Sequence, residues 1–105
     1  MIRHVVMWTF AQEAAGATRA HNVERARAAL AALDGLVPGI VSFEVIAPGG
    51  ELEHTHDLLL LADFESTDAL AAYARHPDHL AVAAFVGQVR TSRACVDYDL
   101  PARSA

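Results

Sequence analysis

The chain holds a single cysteine, Cys95, among 105 residues. No internal disulfide can form, so packing must hold the fold, and a reducing, cytoplasmic setting is expected. Basic residues are few: eight Lys+Arg stand against thirteen Asp+Glu, for a formal net charge of −5. They are scattered, with no arginine-rich segment, so no nucleic-acid partner is expected; such binding needs a clustered basic patch. Long apolar runs are missing as well. Runs such as Leu58–Ala62 and Leu80–Val86 fall far short of the roughly 20 residues a membrane helix needs. No membrane association is therefore expected. The stretch from Met1 to Phe10 lacks the continuous apolar core of a secretory signal and alternates like a strand. Gly49-Gly50 lacks the strand–glycine loop–helix context of a phosphate cradle, so no nucleotide cofactor is expected.

Apolar side chains, by contrast, are abundant. Hydrophobic residues make up 53% of the chain, and the mean hydropathy is +0.23. The length predicts one domain over residues 1–105. A domain of this size buries only about two-thirds of its unfolded surface. The surplus predicts a second buried surface, either a subunit interface or a ligand cavity.

Periodicity divides the chain into short elements. Ile2–Phe10 reads as a strand with apolar groups on both faces, so its sheet is expected to be covered on both sides. Thr18–Asp34 reads as a helix with Val23, Ala26, Leu30 and Leu33 on one face, Thr18 as its N-cap and Gly35 as its stop. Arg19, Arg25 and Arg27 read as its solvated side. Ile40–Ala47 alternates as a second strand, Val41, Phe43 and Val45 facing one way and Ser42 and Glu44 the other. Asp57–Phe64 is a third strand, nearly continuous in leucine. Ser66 caps a helix over Thr67–Arg75, and Pro77–Val86 is a further helix stopped at Gly87. Thr91–Leu100 is the last strand, with Ala94, Val96, Tyr98 and Leu100 on one face. Residues 101–105 read as a frayed tail.

Strand–helix–strand, repeated, predicts an α+β fold of the ferredoxin-like split βαβ type: a four-stranded antiparallel sheet with its helices on one face. The other face, carrying Val5 and Met7, needs a cover. A second copy packed sheet against sheet supplies it, which makes a homodimer, a dimeric α+β barrel.

The most informative local feature is His76-Pro77-Asp78-His79. Proline fits the first helical position, and the residue before it is driven out of the helical region. His76 is therefore the expected N-cap. His79 lies in the first turn, at the positive end of the helix dipole, which favours the neutral imidazole. A neutral imidazole is the form that accepts a proton.

Other candidates are weaker. His54-Thr55-His56-Asp57 places two imidazoles and a carboxylate together, but offers no third protein ligand of the usual kind, so no metal is expected. Cys95 has only Arg93 as a basic neighbour and reads as a buried or interface cysteine rather than a nucleophile. Trp8, Phe10, Phe43, Phe64, Phe85 and Tyr98 read as core, some of them lining a pocket.

The opening Met1-Ile-Arg-His-Val-Val-Met-Trp-Thr-Phe10 resembles the start of the stress-responsive α/β-barrel (Dabb) proteins. So do Val37-Pro-Gly-Ile40 with Phe43-Glu-Val45, the strand Asp57-Leu-Leu-Leu-Leu-Ala-Asp-Phe-Glu65, Tyr73 with His76-Pro-Asp-His79, and Val96-Asp-Tyr-Asp99. The resemblance spans almost the whole chain and implies a dimeric α+β barrel. One branch of the family is similar to cofactor-free polyketide cyclases that perform an intramolecular aldol condensation. Their working residues are a first-strand histidine, a tyrosine, the second histidine of His-Pro-x-His and a third-strand histidine. His4, Tyr73 and His79 match the first three; the fourth position falls on Leu58, with His56 two residues earlier.

The expected function is binding of a small, largely apolar or aromatic molecule in a cavity between sheet and helices, with Val6, Trp8, Leu58 and Phe85 lining it. Proton transfer of cyclase, isomerase or lyase type follows there without a cofactor: His79 is the base, His4 its partner and Tyr73 the group that holds a developing oxyanion. Against this stands a structural reading, with His76 capping, Tyr73 packing and His4 donating to a backbone carbonyl. A non-enzymatic stress or assembly homodimer is the alternative from another class. A cofactor-free monooxygenase is a third, by analogy of fold.

Overall fold

The computed structural model describes residues 1–101. Along the chain the elements are β1 (Ile2–Phe10), a hairpin of β2 (Glu13–Ala14) and β3 (Ala17–Thr18), α1 (Arg19–Ala31), β4 (Ile40–Ile46), β5 (Leu58–Phe64), α2 (Thr67–Arg75), α3 (Pro77–Val89) and β6 (Arg90–Asp99). The main sheet has the order β4-β5-β1-β6, antiparallel throughout. This is the ferredoxin-like α+β topology that the element order predicts.

Side-chain alternation sets the two faces. Ile2, His4, Val6, Trp8 and Phe10 of β1 are buried, while the residues between them are half-buried. Register carries the pattern into β5, with Trp8 opposite Leu58, Val6 opposite Leu60, His4 opposite Ala62 and Ile2 opposite Phe64. This inner face meets Ala26 and Leu30 of α1, Tyr73 of α2 and Val86 and Val89 of α3 in one core cluster. Burying side chains of this size is worth about 1.5–3 kcal/mol each, which makes the cluster the main stabilising feature.

The outer face has no helix over it. Val5, Met7, Leu59 and Leu61 are half-buried there. Register adds Ala94, Val96 and Tyr98 from β6 and Ile46 from β4. One corner is polar. Arg3 donates to Asp63 through two nitrogens, at 2.8 and 2.9 Å, and Ser42 Oγ donates to the same carboxylate at 3.0 Å. The Arg3 guanidinium holds the Asp63 carboxyl below its ordinary range.

Helix ends follow the expected chemistry. Thr18 and Ser66 accept from His21 N and Ala69 N as N-caps. After α1, short turns lead through Leu33 to Gly35 at φ +79°.

Four expectations are corrected. The segment after β1 contains the β2–β3 hairpin, too short to leave a hydrophobic period. Arg19 is not simply solvated: its Nε donates to Phe10 O at 3.0 Å. Val41 does not join Phe43 and Val45, because the register slips between Ile40 and Ser42. It is 50% exposed. The third helix does not stop at Gly87 but runs to Val89. Gly87 is absent from the left-handed region that makes glycine a stop.

The tail expected at 101–105 lies, apart from Pro101, outside the described residues. Among the described residues no helix is long and apolar enough to cross a membrane.

Candidate functional site

Pro77 divides what would otherwise be one long helix. His76 takes an extended conformation (φ −63°, ψ 136°) and its Nδ1 accepts from Asp78 N at 3.0 Å, capping α3. The break redirects the chain within one residue. As a result Tyr73, in the last turn of α2, meets His79, in the first turn of α3, with ring centroids 4.6 Å apart.

His79 Nδ1 lies 2.8 Å from Ala74 O. A carbonyl only accepts, so Nδ1 carries the proton and Nε2 is the free nitrogen. Burial lowers the imidazole below its ordinary value of 6.5; the Ala74 bond opposes this, and the charges of His4 and Arg93 add to it. The neutral ring, with a bare Nε2, is therefore the resting form.

Tyr73 is 1% exposed. It is packed among Phe43, Phe64, His4 and His79. Its hydroxyl is buried with no hydrogen-bond partner among the described residues, an omission that costs about 1–3 kcal/mol. Burial also pushes its pKa well up, so the group is a neutral donor.

His4 does not bond to a backbone carbonyl. Its Nδ1 lies 2.5 Å from Asp97 Oδ1 on β6, directly across the register. The carboxylate fixes the ring's tautomer and orientation and leaves Nε2 free. Its ring centroid is 6.4 Å from that of Tyr73.

Cys95 Sγ stands 4.0 Å from the same Nδ1 and 3.8 Å from Asp97 Oδ1. Because both neighbours share one ring nitrogen, the imidazole cannot relay a proton between them. Burial and then the Asp97 charge raise the thiol's pKa, so it is not a poised nucleophile. The residue is exposed in the single chain, which removes the buried half of the expectation for it and leaves the interface half. His4, Cys95 and Asp97 are also the one group of three potential metal ligands among the described residues.

His4, Tyr73 and His79, though not Cys95 or Asp97, border a cavity of about 360 Å³. Val6, Trp8 and Leu60 form its sheet wall, with Leu30, Ala83 and Val86 on the helix side. His4, Tyr73 and His79 supply titratable groups, and Arg90 and Arg93 complete the lining.

Four of the residues expected at a pocket fall as follows. Val6 and Trp8 line this cavity; Leu58 and Phe85 do not. Leu58 lies one pair beyond Val6–Leu60 and lines a separate cleft with His54 and His56. Phe85 faces α1, where the Arg25 guanidinium stacks 4.1 Å from its ring centre. His56 bonds to Thr55 Oγ1 at 2.8 Å and does not reach the His4 cavity.

Sequence reasoning missed Asp97, Arg90 and Arg93 as site residues. Even spacing places Arg93, Cys95 and Asp97 on one strand face. Which β1 residue each meets depends on the register, and that is not written locally.

An antiparallel four-stranded sheet with three helices on one face and a side-chain-lined cavity between them defines the dimeric-type α+β barrel class. The chain belongs to the stress responsive A/B barrel domain family (Dabb), whose model matches residues 2–100. Among solved structures it is similar to a dimeric ferredoxin-like protein of unknown function from Bacteroides fragilis, at 26% identity, over 94% of this chain and 95% of the other, with a TM-score of 0.80. A second, from Thermobifida fusca, is also described as dimeric, ferredoxin-like and of unknown function; it shares 27% identity over 94% of this chain and 90% of the other, at a TM-score of 0.79. The hydroxynitrile lyase from Passiflora edulis shares the fold at 12% identity, over 99% of this chain and 96% of the other, with a TM-score of 0.77. No curated protein matches the chain in sequence.

Proposed function

We propose that this protein binds a small, largely apolar molecule in the His4–Tyr73–His79 cavity and moves a proton on it without a cofactor. The observation that carries the reading is His79: a neutral imidazole with its tautomer fixed by Ala74 O, its ring against Tyr73, on the wall of a cavity of about 360 Å³. That volume suits a small ligand. An assembly protein has no need of the space and can fill it with side chains, which favours the ligand reading over a purely structural dimer.

The chemistry follows from the groups present. His79 Nε2 takes a proton from carbon alpha to a carbonyl. The Tyr73 hydroxyl, which lacks a partner in the protein, donates to the developing enolate oxygen. The proton held on His79 Nε2 is returned to the product at the end of the cycle, which restores the neutral base. His4, oriented by Asp97, offers its free Nε2 as an acceptor that positions the substrate. An aldol cyclisation, an isomerisation or a lyase reaction each uses this set. Leu58, where the cyclases carry a further histidine, narrows the set to three groups. The working form is a homodimer through the open sheet face, in keeping with the dimeric relatives, and a reducing cytoplasm suits the unpaired Cys95.

The test is exchange. A panel of small ketones and aldehydes in D₂O is followed by NMR for deuterium uptake alpha to the carbonyl. With wild-type protein at least one compound exchanges faster than in buffer, and His79→Gln slows that exchange by about 10²–10⁴-fold, the usual worth of a general base. Equal exchange by the two proteins, or none by either, overturns the reading.

A further inference from the structure

Arg90 and Arg93 both line the cavity, yet they are three residues apart on one strand. In a regular strand side chains alternate, so residues separated by an odd number point to opposite faces. The register explains the exception. Trp8 pairs with Arg93 and Thr9 with Ser92, but Phe10 pairs with Arg90, so Thr91 is an inserted residue in a bulge. Bulges of this kind re-aim a side chain and are frequent beside active sites. Here the bulge turns a second guanidinium toward the cavity side of the sheet.

Neither arginine is within ion-pairing distance of a carboxylate among the described residues. No Asp or Glu lines the cavity. In a chain of net charge −5, the one cavity with the candidate catalytic groups therefore has cationic and neutral walls. Both arginines are exposed, which puts them where the cavity meets solvent, with the apolar Val6, Leu30 and Leu60 deeper in. The Tyr73 hydroxyl, from another residue of the same lining, is buried and has no hydrogen-bond partner among the described residues.

We infer that the ligand is a small apolar molecule bearing a carboxylate, held by Arg90 and Arg93 at the mouth while its apolar body fills the interior beside Tyr73 and His79. This rests on the ligand-binding reading above and narrows it to a substrate class. A planar guanidinium matches a carboxylate with two parallel, charge-assisted hydrogen bonds. It also orients the substrate: anchoring the charged end fixes which carbon reaches His79.

The probes are 3-phenylpropionate and its neutral, nearly isosteric amide, 3-phenylpropionamide. Trp8 is the only tryptophan of the chain and lines the cavity, so its fluorescence reports binding there. The expected result is that the carboxylate binds the wild-type protein at least about tenfold more tightly than the amide. Arg93→Gln and, separately, Arg90→Gln should reduce that preference, weakening the carboxylate more than the amide. Since both side chains are exposed, the variants are expected to melt like wild type. The wild-type comparison needs no variant at all. If both probes bind equally and shift Trp8, the cavity binds ligands but the carboxylate assignment is wrong. If neither shifts Trp8, the carboxylate assignment and the ligand reading beneath it both fall.

Discussion

At the scale of single residues, His79 carries the most weight, and its position was legible. His-Pro-x-His dictates a capped helix start with the second histidine in the first turn, and that is where it sits. The sequence also gave a reason for a neutral ring, the helix dipole. The structure supplies a larger one, burial, which depends on packing between α2, α3 and β1 and is not visible locally. Asp97 was illegible for a similar reason: its role comes from lying opposite His4, 93 positions away in the chain. The pH dependence has a definite sign. The folded imidazole titrates below its ordinary 6.5, so the stability it contributes is complete above pH 6.5 and is lost as pH falls through the depressed value. An NMR titration of the imidazole signals should place the His79 midpoint below 6.5. In His4→Gln it should move up, because one charge opposing protonation is gone, while staying below 6.5 because burial remains. A wild-type midpoint at or above 6.5 would contradict both the resting neutral form and its role as base.

At the scale of elements, the strands and helices were written in period-two and period-3.6 patterns, and the large ones were found where expected. The failures share a cause. The two-residue hairpin has no period, and the slip after Ile40 and the bulge at Phe10 each insert one residue that no local pattern marks. Gly87 was misread because glycine stops a helix only in the left-handed region, which depends on the backbone and not on the residue's presence. Two glycines test that distinction. Gly39 has φ +94°, and a Cβ built there would stand 2.7 Å from Ala69 Cβ of α2. Its carbonyl also accepts from Glu65 N at 2.8 Å. Gly39→Ala should therefore cost roughly 1–3 kcal/mol, from backbone strain and the clash together. Gly87 lies inside α3 with nothing within 4 Å of a built Cβ. Gly87→Ala should stabilise by roughly 0.5–1 kcal/mol, the helix propensity difference. Urea denaturation midpoints at constant m-value check both. A destabilised Gly87→Ala would mean that α3 does stop there after all.

At the scale of the whole molecule, topology was legible because element order and right-handed crossovers leave few arrangements. The cavity was not, since its walls come from β1, β5, β6 and all three helices, and its volume is what those elements fail to fill. The open sheet face lies between these cases. Apolar residues on both sides of β1 announce a cover without saying what it is, and the dimeric relatives point to a second copy. Val96 and Tyr98 are 60% and 42% exposed on that face, and Val5, Met7, Leu59 and Leu61 are half-buried beside them. A self-complementary patch of this kind buries about 800 Å² per partner in a standard interface. Light scattering should give a mass twice that of the 11.2 kDa chain. The melting temperature should rise with protein concentration, because dissociation is coupled to unfolding. Val96→Asp places a charge among the apolar side chains of that face, on its edge strand β6 opposite Val5, and should yield monomer. The His79 titration separates its two effects. If the midpoint is unchanged in the monomer, the cavity is complete within one chain, as the lining residues indicate. A wild-type protein that stays at the single-chain mass would leave the sheet face uncovered and remove the dimer from the proposal.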